Sequence, residues 1–373
     1  MNRRWPRIAL WVAGVFLVVI SAVFVWWRDV PEFTGPETFF EMKGRIAAVE
    51  TQPADSTDEE RGYDVVIRST EGWSVRGYLR VPATPPGTTR PGAIVLGGLG
   101  TGRRAAHLVR AEEPYVVLGL DYPWAGSRRP SLGEIVRKLP EIRHSVLRTP
   151  AALLLAADLL DGRAEVRGDD LVLIGASFGV PFAATAGALD PRFQTVLLLY
   201  GGGDYRNLIW WNLERRYPAA PEWFADAAGA VIAPVEPICY VGAIAPRRLV
   251  MVNGRRDERI PRENVRLLYE AARAPKTLVW LDAGHITPRN DSLLQAIADT
   301  AVRVLEAPQA SSAAGERAQT PPDAAANGAV TDSVAARVCP KELRPRGAVA
   351  IVNRDGSGAP PPKIPALGAP LSP

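Results

Sequence analysis

Short apolar runs alternate with longer mixed segments along most of the chain, and their spacing sets out an architecture. Tyr63–Ser69 and Ser74–Val81 read as a strand pair joined by the turn Thr70-Glu71-Gly72. Ala93–Leu96, Val116–Leu120, Leu171–Ile174, Thr195–Tyr200, Leu249–Val252 and Thr277–Leu281 are short apolar runs with the length of buried strands. Helical stretches separate most of them, notably Ala151–Leu160, Val180–Leu189, Asn264–Ala272 and Ser292–Leu305. Strands alternating with helices predict an α/β domain over residues 61–306. Its central sheet is expected to be mostly parallel and flanked by helices, with the initial hairpin at one edge.

The ends of the chain follow other patterns. From Ile8 to Trp27 no charge interrupts an apolar stretch long enough to cross a bilayer as a helix. Arg3, Arg4 and Arg7 precede it, whereas Arg28 is balanced at once by Asp29 and Glu32. That asymmetry predicts a cytoplasmic N-terminus and an extracytoplasmic remainder, periplasmic or extracellular. The run ends in Val-Trp-Trp, a poor signal-peptidase site, so residues 1–28 read as a stub and retained anchor. Residues 29–60 read as a polar linker. Beyond about residue 307 the chain turns to Ala, Pro, Gly and Ser, which predicts a disordered tail over 307–373.

Composition narrows the chemistry. The 44 basic and 40 acidic residues nearly balance, and no Lys/Arg stripe with interleaved aromatics suggests nucleic acid as a partner. Cys239 and Cys339 form no CxxC pair, and the tail setting of Cys339 argues against a disulfide between them. Three histidines without an H-x-x-x-H spacing disfavour a zinc enzyme, so no metal or organic cofactor is expected.

The apolar run at 171–174 stops at Gly175-Ala176-Ser177-Phe178-Gly179 and resumes as a small-residue helix pattern. A serine between two glycines at a strand-to-helix junction is the G-x-S-x-G nucleophile elbow. A serine hydroxyl needs a base, and the base needs an orienting acid. His285 follows a predicted strand in LVWLDAGHITP, where open α/β sheets assemble their sites. His107 and His144 lie in Arg-rich helical surroundings that suit a surface role. Asp257 stands just past another strand end and is the candidate acid, with Glu258 and Asp282 as rivals. For the oxyanion hole, the backbone N–H of Phe178 follows from the elbow, and that of Gly98 from the glycine loop after Ala93–Leu96.

Taken together, RGYLRVP at 76–82, the glycine loop at 97–102, LGLDYPWAG at 118–126, the elbow, IAPRRLVMVNGRRDERIP at 244–261 and DAGH at 282–285 resemble the α/β-hydrolase-fold serine hydrolases. The dienelactone hydrolase and acetyl xylan esterase-like groups are the nearest in pattern. The resemblance implies a Ser177–His285–Asp257 triad that cleaves a small-molecule carboxylic ester through an acyl-enzyme. Where that family's oxyanion loop usually begins His-Gly, this chain has Leu96-Gly97. The alternatives are a prolyl-oligopeptidase-like peptidase and a catalytically inactive, membrane-tethered binding module. Residues 202–236, too long for a simple loop and rich in aromatics, are expected to form a mostly helical lid. Trp210, Trp211 and Trp223 could line an acyl pocket there or merely pack the lid.

Overall fold

The computed structural model describes residues 31–83, 85, 87–109, 115–124, 134, 137–306, 338, 339 and 343. The anchor expected at 8–27 and most of the tail lie outside the described residues. Nine strands form one sheet: β1 (Ile46–Ser56), β2 (Glu60–Ser69), β3 (Ser74–Pro82), β4 (Arg90–Leu96), β5 (Val116–Leu120), β6 (Val166–Ala176), β7 (Phe193–Leu199), β8 (Arg248–Gly254) and β9 (Lys276–Leu281). Their order is β1-β2-β3-β5-β4-β6-β7-β8-β9. The first four in space pair antiparallel and the rest parallel. The helices are α1 (Glu37–Lys43), α2 (Leu139–Asp161), α3 (Val180–Leu189), α4 (Tyr205–Arg216), α5 (Trp223–Ile232), α6 (Pro237–Tyr240), α7 (Arg262–Ala271) and α8 (Asp291–Glu306).

Period-two alternation sends successive side chains of the central strands to opposite faces. Ile94, Leu96, Leu171, Leu173, Val196 and Leu198 join one core with the buried residues of α2, α3 and α7. Ala93, Val95, Val172, Leu197 and Leu199 join a second, smaller core with Ala105, Ala106 and the α8 residues Leu293 and Ile297. Both faces are covered, which is why these strands read as continuous apolar runs rather than alternating ones.

Two expectations need correction. Residues 29–60 are not a plain linker, because α1 and β1 lie within them and β1 pairs with β2 along its length. The strand escaped notice because it is an edge strand: most of its side chains are exposed or half-buried, and Pro53 sits where no inner neighbour needs its missing N–H. The second correction concerns the cysteines. Cys239 on α6 and Cys339 form a disulfide with Cα atoms 5.3 Å apart. Both are buried, and Val338 and Leu343 pack on the same core. A few apolar residues therefore seat this point of a polar, proline-rich segment.

Residues 202–236 are mostly helical, as expected, and consist chiefly of α4 and α5. The buried carboxylate of Glu236 accepts from the N–H groups of Asp204 and Tyr205, each at 2.9 Å. It also accepts from Ile238 N–H, so one side chain ties the start of α4 to the start of α6. Desolvation raises the Glu236 pKa to about 7. The stretch Trp223–Ala243 has the length and hydropathy to cross a membrane, yet it is folded into the domain and more than half buried.

Candidate active site

The elbow is built by backbone geometry. Ser177 has φ 54°, in the left-handed region that side chains other than glycine rarely occupy. Its flanking glycines allow the tight turn. A Cβ on Gly175 would come within 2.5 Å of the Ala183 Cβ, and one on Gly179 would collide with the Leu96 carbonyl oxygen. Ser177 therefore stands at the carboxyl end of β6, on the short 3₁₀ turn that leads into α3.

Three distant segments meet there. Ser177 Oγ lies 2.8 Å from His285 Nε2. His285 Nδ1 lies 2.8 Å and 3.0 Å from the two carboxylate oxygens of Asp257. The side chains of His285 and Asp257 are both 2% exposed, so water competes little for the bond between them. The amides of Arg259 and Ile260 donate to Asp257 Oδ1 and fix the carboxylate in its turn.

The rival acids take other places. Glu258 Oε2 accepts from the backbone N–H of His285 at 3.2 Å, and hydrogen bonds from its own amide and that of His285 hold its pKa below the usual value. Asp282 is exposed and paired with Arg256 at 3.0 Å. His107 is exposed and His144 half-buried on α2.

Sequence reasoning missed two tyrosines. The Tyr122 hydroxyl donates to the Gly97 carbonyl at 2.5 Å, and its ring packs 5.6 Å from Phe178 and 5.8 Å from Phe182. The run LGLDYPWAG carried it into the resemblance without a role. Tyr200 has φ 56° at the end of β7 and packs its ring against the His285 imidazole at 5.9 Å, edge to face. Burial, with the nearby Asp257 charge, raises its pKa to about 12. Its hydroxyl finds no hydrogen-bond partner among the described residues.

Gly98 lies beside Ser177: a Cβ there would stand 3.8 Å from Ser177 Cβ and 4.0 Å from Oγ. A cavity of about 1130 Å³ opens at this point, touching Ser177, Phe178, His285 and Gly98. Among the described residues, the charged side chains in its walls are Arg104, Arg259 and Arg289, and none is a carboxylate. None of residues 202–236 lines it. Of the two alternatives for the tryptophans, lining a pocket is not seen at this cavity: Trp211 is partly exposed and donates to the Glu258 carbonyl through Nε1 at 3.3 Å, and Trp223 is 64% exposed. Among the described residues no cluster of three His, Cys, Asp or Glu is placed to hold a metal ion.

No family model matches the chain, and no curated protein matches it. Solved structures do. An acetyl xylan esterase from Paenibacillus sp. R4 aligns with a TM-score of 0.56 at 15% identity, over 73% of this chain and 97% of that one. Acetyl xylan esterase 1 from Thermoanaerobacterium sp. JW/SL YS485 aligns with a TM-score of 0.52 at 17% identity, over 73% and 94%. At such identities the likeness is one of fold. With the antiparallel strands at one edge, the parallel strands that follow and the serine elbow after β6, the chain has the α/β-hydrolase fold.

Proposed function

We propose that this protein hydrolyses carboxylic esters through an acyl-enzyme on Ser177, on the outer side of a membrane in which residues 8–27 anchor it. The observation that carries the reading is the unbroken hydrogen-bonded chain from Ser177 through His285 to the buried Asp257. Asp257 accepts from His285 Nδ1–H, which leaves Nε2 as the acceptor of the serine proton. As Ser177 Oγ attacks the ester carbonyl, its proton passes to Nε2 and the carbonyl oxygen takes up negative charge. The imidazolium then protonates the leaving alkoxide, and the C–O bond breaks to give the alcohol and the acyl-enzyme. Water, deprotonated by the same imidazole, attacks in turn and releases the acid and free Ser177.

The N–H groups of Phe178 and Gly98 are the proposed oxyanion donors. Tyr122 supports the second. The Gly97 carbonyl and the Gly98 N–H belong to one planar trans peptide and point in opposite directions. A hydroxyl holding the carbonyl on one side thus fixes the aim of the N–H on the other, a task that the histidine of the usual His-Gly start cannot perform here. The fold neighbours named as acetyl xylan esterases support ester chemistry, and the Cys239–Cys339 disulfide supports an oxidising, extracytoplasmic compartment.

A fluorophosphonate probe tests the site, because it labels only an activated serine. Labelling and p-nitrophenyl ester turnover are expected in the wild type and not in Ser177→Ala; an unlabelled wild type overturns the reading. For the anchor, N-terminal sequencing of the isolated protein should find the first 22 residues retained. A chain that starts near residue 23 or later would make the segment a removed signal peptide.

A further inference from the structure

The cavity beside Ser177 does not stay at the strand ends. Its walls follow the sheet downward, past Val95 on β4, Val172 and Ile174 on β6, and Leu197 and Leu199 on β7. The opposite wall is the α8 stripe Leu294, Ile297, Ala298 and Ala301, with Leu108 of the 3₁₀ turn Gly102–Leu108 closing one side. From Ala176 back to Val172 this path covers four residues, about 13 Å at roughly 3.3 Å per residue. Protein interiors are close-packed, and voids much larger than a water molecule are few. A largely apolar cavity of this size that opens at Ser177 is therefore a feature of the fold with a use.

Its origin is visible in the residues. Among the described residues, the 3₁₀ turn Gly102–Leu108 and α8 lie over this part of the sheet, and small side chains (Ala93, Ala105, Ala298, Ala301) face the space from both walls. Among the described residues, the charged side chains in the walls are arginines. Arg104 and Arg289 are exposed, whereas the lower walls are aliphatic apart from Tyr115. A ligand fitting this gradient has a long hydrocarbon arm and a polar end at Ser177.

We infer that the cavity is an acyl tunnel and that the substrates are esters of medium- to long-chain fatty acids, the chain lying along the sheet beneath α8. The inference rests on the proposed ester hydrolysis at Ser177. An acyl chain seated there puts its carbonyl between Ser177 Oγ and the Gly98 loop, and leaves the alcohol part on the solvent side of the site.

Two experiments on the full-length protein in lipid nanodiscs test it. In the first, kcat/KM is measured for p-nitrophenyl acetate and decanoate. Decanoate is expected to exceed acetate by at least tenfold. Filling the cavity with Ala301→Phe, or at a separate point with Ala298→Phe, should cut that ratio at least tenfold, with circular dichroism and the melting temperature reporting that each variant is folded. In the second, a decanoic acid carrying a terminal diazirine is photolysed with Ser177→Ala, and the labelled peptides are mapped. Label is expected on residues 294–301 and 105–109 in a form that excess decanoic acid displaces. This readout does not depend on turnover: no hydrolysis with label in the channel would sink the esterase reading and keep the tunnel. Acetate preferred over decanoate, or label absent from those two segments, overturns the tunnel, including the case in which another part of this chain fills it.

Discussion

The two faces of the sheet are made from the same strands and end in opposite conditions. On the face covered by α2 and α3, Leu153, Leu155, Ala156, Ala157, Leu160, Phe182, Ala183 and Ala184 are each at most 1% exposed and interlock with Leu171, Leu173 and Leu198. On the other, Val172, Leu197 and Leu199 are as apolar and nearly as buried, yet they border a cavity of about 1130 Å³. Hydrophobicity does not separate the faces; the cover does. A 23-residue helix and the small-residue α3 press close to the sheet on one side, while among the described residues a short 3₁₀ turn and α8 span it on the other. One face supplies stability and the other supplies space beside Ser177.

The sharpest separation should come at the crossing point between the faces. Ser177→Ala is expected to lower kcat by roughly 10⁴- to 10⁶-fold with an unchanged melting temperature, since the residue contributes little buried apolar area. Asp257→Asn should cost about 10⁴-fold through the wrong histidine tautomer, while Asp282→Asn stays near wild type. The reverse ranking of the two aspartates, read by ester turnover, would assign the acid to Asp282. Next in size is a matched pair of truncations. Leu173→Ala on the packed face should cost about 4 kcal/mol, and Leu197→Ala on the cavity face about 2 kcal/mol, because Leu197 already lacks partners on one side. Urea denaturation of both variants checks this, and equal costs would mean that the two faces are packed alike.

A carboxyl sunk into the packed side makes that face sensitive to pH. The Glu236 pKa in the folded state is raised to about 7, with burial the main cause, against an unfolded value near 4.5. Between these two values the folded state holds the proton more tightly than the unfolded one. Stability from this group is therefore fully present below about pH 4.5, falls as pH rises towards 7, and is flat above. The loss is on the order of 3 kcal/mol. Glu236→Gln should remove that slope. Urea midpoints at pH 5 and pH 8 for both proteins measure it, and the same pH dependence in each would show that the charge of Glu236 costs nothing.

How much of this could be read in the sequence follows from what each feature depends on. Strands buried on both faces are legible because their apolar runs are local: Val116–Leu120 and the helix Val180–Leu189 fall at the expected bounds. The meeting of Ser177, Asp257 and His285 was legible too, since each follows a strand whose carboxyl end lies at the same edge. Features that depend on partners far along the chain were not. β1 has almost no apolar periodicity of its own and is held by its pairing with β2. Cys339 gains its place from a helix 100 residues earlier. The cavity is a property of what fails to touch, and no run of residues announces a gap. The tryptophans of 202–236 stayed open between two readings for the same reason: large aromatics signal burial somewhere without saying where, and Trp223 is 64% exposed.

The smallest predicted effect tests how the two faces are joined at the site. Tyr122 reaches from the packed face to the glycine loop: its ring packs against Phe178 and against Phe182 of α3, while its hydroxyl holds the Gly97 carbonyl. Tyr122→Phe keeps the ring and removes only the hydroxyl. If the role is to aim the Gly98 N–H, the peptide becomes free to tilt and the developing oxyanion loses part of one donor. Removing an oxyanion donor outright costs about 10²- to 10³-fold. Loosening one should cost less, roughly tenfold in kcat or about 1.4 kcal/mol, with KM little changed because the ground-state carbonyl is hardly held. A boronic acid, whose tetrahedral adduct with Ser177 puts an oxygen in the same place, should bind about tenfold more weakly to the variant. If the hydroxyl merely satisfies a half-buried carbonyl, the variant will instead lose thermal stability while its boronate affinity stays at the wild-type value. That result would leave the packed face with a strut and the site without its second-hand support.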